Sequence, residues 1–151
     1  MGSNQRCPVG SERIDQNAAR VNGAIVTVVL AASLVPALRP LQFYLLADFG
    51  VKVFVGFAYS PSCYLSQVVV RVLDLPVSWV PAAPKRFASA VALVFVTGAL
   101  ASWFAAESAI GFLAFSGVFL VCAFLESAAG FCVGCFVYRL LPAVVSESFV
   151  R

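Results

Sequence analysis

Ser108-Ala109-Ile110-Gly111-Phe112-Leu113-Ala114-Phe115-Ser116-Gly117-Val118-Phe119-Leu120-Val121-Cys122-Ala123-Phe124-Leu125-Glu126-Ser127-Ala128-Ala129-Gly130-Phe131-Cys132-Val133-Gly134-Cys135-Phe136 carries one charge, Glu126. A helix of about 20 apolar residues spans the hydrocarbon core of a bilayer, and this run is long enough. Three more runs of the same kind precede it. Residues 21–38 and 87–106 are uncharged, and residues 41–57 carry only Asp48 and Lys52. The chain of 151 residues is 62% hydrophobic and 11% charged. Soluble domains are about a quarter charged, and no soluble fold of this length hides so much apolar surface. Open strands cannot satisfy their backbone in lipid, and strict period-two alternation is absent, so helices are expected rather than a barrel.

The expectation is therefore an all-α membrane protein with four transmembrane helices in a single domain, residues 1–151. A polar N-terminal segment, residues 1–20, precedes the spans near 21–38, 41–57, 87–106 and 108–136. Pro36 and Pro40 bracket a turn after the first span. Pro76, Pro81 and Pro84 interrupt the chain before the third, and Pro84 suits the first turn of a helix. The short link around Ala106-Glu107-Ser108 makes the last two spans an antiparallel hairpin. Between the second and third spans, residues 62–74 place Leu65, Val68, Val69 and Val72 on one helical face. That segment is too short to cross. It reads as an interfacial helix capped by Ser62, with a re-entrant segment as the alternative.

The basic residues are one-sided. Arg6, Arg13, Arg20, Arg71, Lys85, Arg86, Arg139 and Arg151 fall on one side of the spans, and Arg39 alone on the other. The positive-inside rule then puts both termini in the cytoplasm, and the multi-pass chain in a plasma (inner) membrane. The net charge of +3 reflects orientation, with no basic, aromatic-interleaved groove for nucleic acid. No cleavable leader is evident in the polar first 20 residues.

Cys132 and Cys135 form a Cys-x-x-Cys. Thiol exchange needs an attacking thiolate and a resolving thiol within reach, and this spacing supplies both. Read as the end of the fourth span, the pair sits at a helix C-terminus, where the dipole opposes a thiolate. Lys85, Arg86 and Arg139 are placed to offset that. The competing reading is packing, because Gly130 and Gly134 form a Gly-x-x-x-Gly in the same stretch. Cys7 and Cys63 are auxiliary thiols on the same side. A zinc site would need all four cysteines to converge, and no metal is assigned. A reducing cytosol disfavours permanent disulfides. Asp48 and Lys52, one turn apart, read as an intramembrane ion pair, with Glu126 turned toward the same interior as a structural or proton-relay cluster. Lys85 and Arg86 open the third span as a candidate anion site.

Several short motifs recur together along the chain: Cys7-Pro8-Val9; Asn17, Arg20 and Asn22; Tyr59-Ser60-Pro61; Ala83-Pro84-Lys85-Arg86-Phe87-Ala88; and Phe131-Cys132-Val133-Gly134-Cys135 with Tyr138. With them the chain resembles the domain-of-unknown-function 4395 family of bacterial membrane proteins over nearly its whole length. The resemblance implies a small multi-spanning protein, and an association with thioredoxin-like or sulfurtransferase partners. No hydrolase triad, phosphate loop or dinucleotide fingerprint is present, and no cofactor is assigned. The leading expectation is a thiol-dependent redox or sulfur relay at the cytoplasmic face of the lipid bilayer. A transporter or channel for a small solute or sulfur-containing anion is the first alternative. A structural subunit, including a homo-oligomer assembled through the glycine faces, is the second.

Overall fold

The computed structural model describes residues 13–140. The order is β1 (Arg13–Asp15), α1 (Gln16–Ser33), α2 (Leu41–Phe54), α3 (Pro61–Val72), β2 (Trp79–Pro81), α4 (Ala83–Phe104), α5 (Ala109–Ala129) and α6 (Val133–Leu140). Four helices close a ring. α1 packs on α5 and α2, and α4 packs on the same two. α3 lies against α1 and α6 against α4. The link from α4 to α5 is as short as expected, and the Ser108 hydroxyl caps α5 by accepting the Gly111 N–H at 3.1 Å. Pro84 sits in the first turn of α4.

Among the described residues, α4 and α5 are the two helices long and apolar enough to cross a membrane. α1 has 18 residues and α2 has 14. At 1.5 Å per residue α2 reaches about 21 Å, short of a hydrocarbon core about 30 Å thick. The four full spans of the sequence reading thus reduce to two, because α1 begins with the polar Gln16, Asn17 and Arg20 and stops at Ser33, and Gly56 and a 3-10 turn at Phe57–Tyr59 end α2 early. The ring buries Leu30, Leu45, Phe49 and Val96, and with them a polar bridge. Gln42 Nε2 donates to Ser33 Oγ at 3.2 Å and to Ser116 Oγ at 3.0 Å, tying α2 to α1 and α5. The outer surface is the reverse: Ile110 is 82% exposed, and Val94, Val121 and Phe124 also face outward. Polar groups inside and a large apolar surface outside suit a lipid exterior.

Three local boundaries differ from the sequence reading. α1 starts at Gln16, inside the segment expected to be a polar tail, because Asp15 caps it by accepting the Asn17 N–H at 3.0 Å. Its neighbour β1 pairs antiparallel with β2, Ile14 opposite Val80. Such a three-residue ribbon leaves no periodic signal. α3 is capped by Ser60 rather than Ser62, with Pro61 opening the helix. α3 also turns Ser62, Ser66 and Val70 inward while Leu65, Val68 and Val72 are exposed, so its apolar stripe faces away from the bundle. Lastly, the run 108–136 is not one helix. α5 stops at Ala129, Gly130 adopts a left-handed φ of 66°, and the chain restarts as α6. The left-handed C-cap suits glycine because a Cβ there crowds the following carbonyl. Arg20 secures this end, donating to the carbonyls of Ser127 at 3.4 Å and Ala128 at 3.1 Å.

Candidate functional site

The break at Gly130 changes the chemistry of the two thiols. Cys132 is not the last turn of α5. Its carbonyl accepts the first bond of α6, from the Phe136 N–H at 3.0 Å. Its Sγ accepts the Cys135 N–H at 3.3 Å. Cys132 therefore occupies the N-cap position of α6, and Cys135 lies in the first turn. The expected placement at a helix C-terminus is reversed, and the α6 dipole now favours a thiolate on Cys132. The neighbouring Cys135 side chain holds the Cys132 thiol below the ordinary cysteine range. The Cys135 N–H and Lys85 act in the same sense, against burial and Glu126. Cys135 is raised in turn by Cys132, and burial adds to the rise. The two sulfurs thus have unequal roles before any substrate is present.

α6 is held against α4 by close backbone approach. A Cβ on Gly134 would lie 2.6 Å from the Cβ of Ala88. Phe87 and Tyr138 set their rings 5.6 Å apart, tilted by 51°, across the same seam. Gly134 is thus the packing residue of this segment. Gly130 belongs to the cap, so the two glycines do not make one helical face.

Lys85, in the first turn of α4, bonds Glu126 of α5 at 2.8 Å. The pair is partly accessible, with side-chain exposures of 13% and 25%. Both residues line a cavity of about 620 Å³ among α1, α3, α4, α5, α6 and the ribbon. Cys63, Cys122 and Cys132 line it too, with Phe49, Phe95 and Phe119 among its many apolar residues. The sequence reading joined Glu126 to Asp48 and Lys52, and left Lys85 open for an anion beside Arg86. The observed ion-pair partner of Glu126 is Lys85, one carboxylate meeting one ammonium at the thiol end of the bundle. Arg86 is half-buried in the same turn.

Asp48 and Lys52 form a separate and closed network. Both are about 1% exposed, and their charged atoms are 2.5 Å apart. Ser60 Oγ donates to Asp48 Oδ1 at 2.6 Å, and the Ser62 N–H to the same oxygen at 3.3 Å. Ser62 Oγ lies 2.7 Å from both Asp48 Oδ2 and Asn22 Oδ1. Lys52 Nζ also donates to Asn22 Oδ1 at 3.2 Å, and sits 4.5 Å from the Phe49 ring centroid. The carboxylate meets the N-terminus of α3 as well as the ammonium, so helix dipole and ion pair act together. This network joins α1, α2 and α3 and has little room for a ligand.

Cys63 follows Ser62 on α3, its Sγ 3.9 Å from Asn22 Oδ1, and burial raises its thiol. Cys7 lies outside the described residues. No group of three or more His, Cys, Asp or Glu side chains able to hold a metal ion occurs among those described. Asn22, Ser60, Ser62 and Arg20 were not picked out as functional positions by residue chemistry. Asn22, Arg20 and Ser60 do appear in the motifs behind the family resemblance. The structure gives each a physical role, Asn22 and Ser60 in the closed network and Arg20 at the α5 cap.

An apolar-surfaced helical bundle with a dithiol at a helix N-terminus and an adjoining ion-paired cavity defines the class. The family described as domain of unknown function DUF4395 matches residues 14–142, and the chain belongs to it. No curated protein and no solved structure matches the chain.

Proposed function

We propose that this is a multi-pass membrane protein that passes electrons or sulfur through Cys132 and Cys135. The carrying observation is the N-cap position of Cys132, whose sulfur accepts the Cys135 N–H while lining the cavity beside Lys85 and Glu126. Cys132 is the attacking sulfur. It displaces one sulfur of a partner disulfide, and Cys135 then resolves the mixed disulfide. A thioredoxin-like or sulfurtransferase protein is the partner class implied by the family resemblance.

The membrane reading draws on α4 and α5 and on the outward apolar faces. α1 and α2 enter the bilayer beside them, and α3 lies at the interface with its apolar stripe toward lipid. Arg13, Arg20, Arg71, Lys85, Arg86 and Arg139 then share the cytoplasmic side of a bacterial plasma membrane, with Arg39 opposite. The transporter alternative loses support, since Lys52 and Lys85 are both ion-paired.

Cysteine labelling in intact and lysed cells, with and without reductant, tests the thiol role. Reductant-dependent labelling of both Cys132 and Cys135 is expected. Labelling of neither, or labelling unchanged by redox state, contradicts it. Reporter fusions at the C-terminus test the side, with a cytoplasmic signal expected.

A further inference from the structure

The cavity and the dithiol meet at one sulfur. Cys132 lines the cavity, whereas Cys135 stands behind it in the first turn of α6. A volume of about 620 Å³ is in the range of small-molecule sites. Its wall is mostly apolar and includes Phe49, Phe95 and Phe119. Lys85 and Glu126 form an ion pair in its wall, on the side that also carries Cys132, and Arg13, Asp15 and Arg71 line it as well. A plain acyl chain would use neither the thiol nor the cation. A flat, lipophilic molecule with two oxygens that accept electrons uses all three features.

We propose that the cavity binds a lipophilic quinone, which takes two electrons from the Cys132–Cys135 dithiol. This rests on the thiol reading given above and names its acceptor. The Cys132 thiolate adds to a ring carbon, forming a C–S bond, and the displaced electron pair moves onto a quinone oxygen. Lys85 donates a hydrogen bond to that oxygen, and a proton reaches it through the Lys85–Glu126 pair. Cys135, giving up its proton, attacks the Cys132 sulfur. The S–S bond forms, the C–S bond breaks, and its electron pair stays on the ring, which leaves as quinol once protonated. Overall, two thiols and one quinone give one disulfide and one quinol. A reduced dithiol protein returns the pair to its starting state by the reverse of the exchange given above, its thiolate attacking the Cys132 sulfur and its second thiol resolving the mixed disulfide.

The test uses the full chain in detergent, reduced and freed of reductant, with a decyl-substituted benzoquinone and, separately, a water-soluble disulfide. The expected result is one quinol per Cys132–Cys135 disulfide, followed by absorbance and peptide mass. A photoactivatable azidoquinone should label peptides from the cavity wall around Ala19 and Ala123. Ala19→Trp, or Val118→Trp if the first does not fold, should slow quinol formation at least tenfold. Oxidation by the soluble disulfide but not by quinone overturns the quinone site while leaving the thiol reading intact. Oxidation of the pair by neither overturns both. Quinone oxidation with azidoquinone labelling confined to outward residues such as Val94 and Ile110 removes the cavity from the proposal.

Discussion

Among the described residues, two acid–base pairs have opposite character. Asp48 and Lys52 are sealed, and every charged atom is met by a side chain, a backbone N–H or a ring. Lys85 and Glu126 make a single contact, remain partly accessible and face a cavity beside a pair of thiols. The first pair secures the packing of α1, α2 and α3, while the second adjoins the reactive sulfurs. A buried charge is thus a poor guide to function by itself, and open space beside the charge is the more informative feature.

Perturbing the sealed pair should have the largest effect. Asp48→Asn strands the Lys52 ammonium and should cost about 3–5 kcal/mol, typical of removing one partner from a buried pair. Combining it with Lys52→Met should recover much of that loss. Thermal unfolding in detergent measures both, and equal stability of the single and double variants would show that the pair is uncoupled.

The cap between α5 and α6 comes next. Gly130→Ala forces a Cβ into φ 66°, a cost of about 1–2 kcal/mol. Because the cap sets the start of α6, this variant should also slow alkylation of Cys132, a readout that a purely local strain would leave unmoved.

The open pair should matter least for stability and more for reactivity. Glu126→Gln removes a partly exposed ion pair, worth about 1 kcal/mol or less. It also removes the negative charge that opposes the Cys132 thiolate. Cys132 should then ionise at lower pH than in the parent, visible as an earlier rise in its alkylation rate. Lys85→Met should move it the other way, since the ammonium favours the thiolate. Shifts of the same sign in both variants would show that the pair acts on Cys132 only through packing.

The sequence disclosed much of the frame. Apolar run length and the prolines located α4, α5 and their hairpin, and the i, i+4 spacing of Asp48 and Lys52 announced their pairing. The restart at Gly130 was hidden because Phe131 to Val137 continues the apolar run, and the cap depends on Arg20, more than 100 residues earlier. The partnership of Glu126 with Lys85 was hidden for a similar reason. Nothing local marks which of two lysines a carboxylate will meet once α4 and α5 are packed. Ser62 read only as a helix cap and Ser60 as part of a motif, although their hydroxyls complete the sealed network.

The most direct measurement is the pH dependence of alkylation at each cysteine in the folded protein, resolved by peptide mass. A sulfur at the α6 N-cap, bonded by the Cys135 N–H and beside the Cys135 thiol, ionises below the ordinary cysteine range, while burial holds Cys63 above it. Cys132 should therefore label first as pH rises, well ahead of Cys135 and Cys63. Labelling of Cys135 before Cys132, or of the two together at the pH of a free thiol, would contradict the assignment of Cys132 as the attacking sulfur.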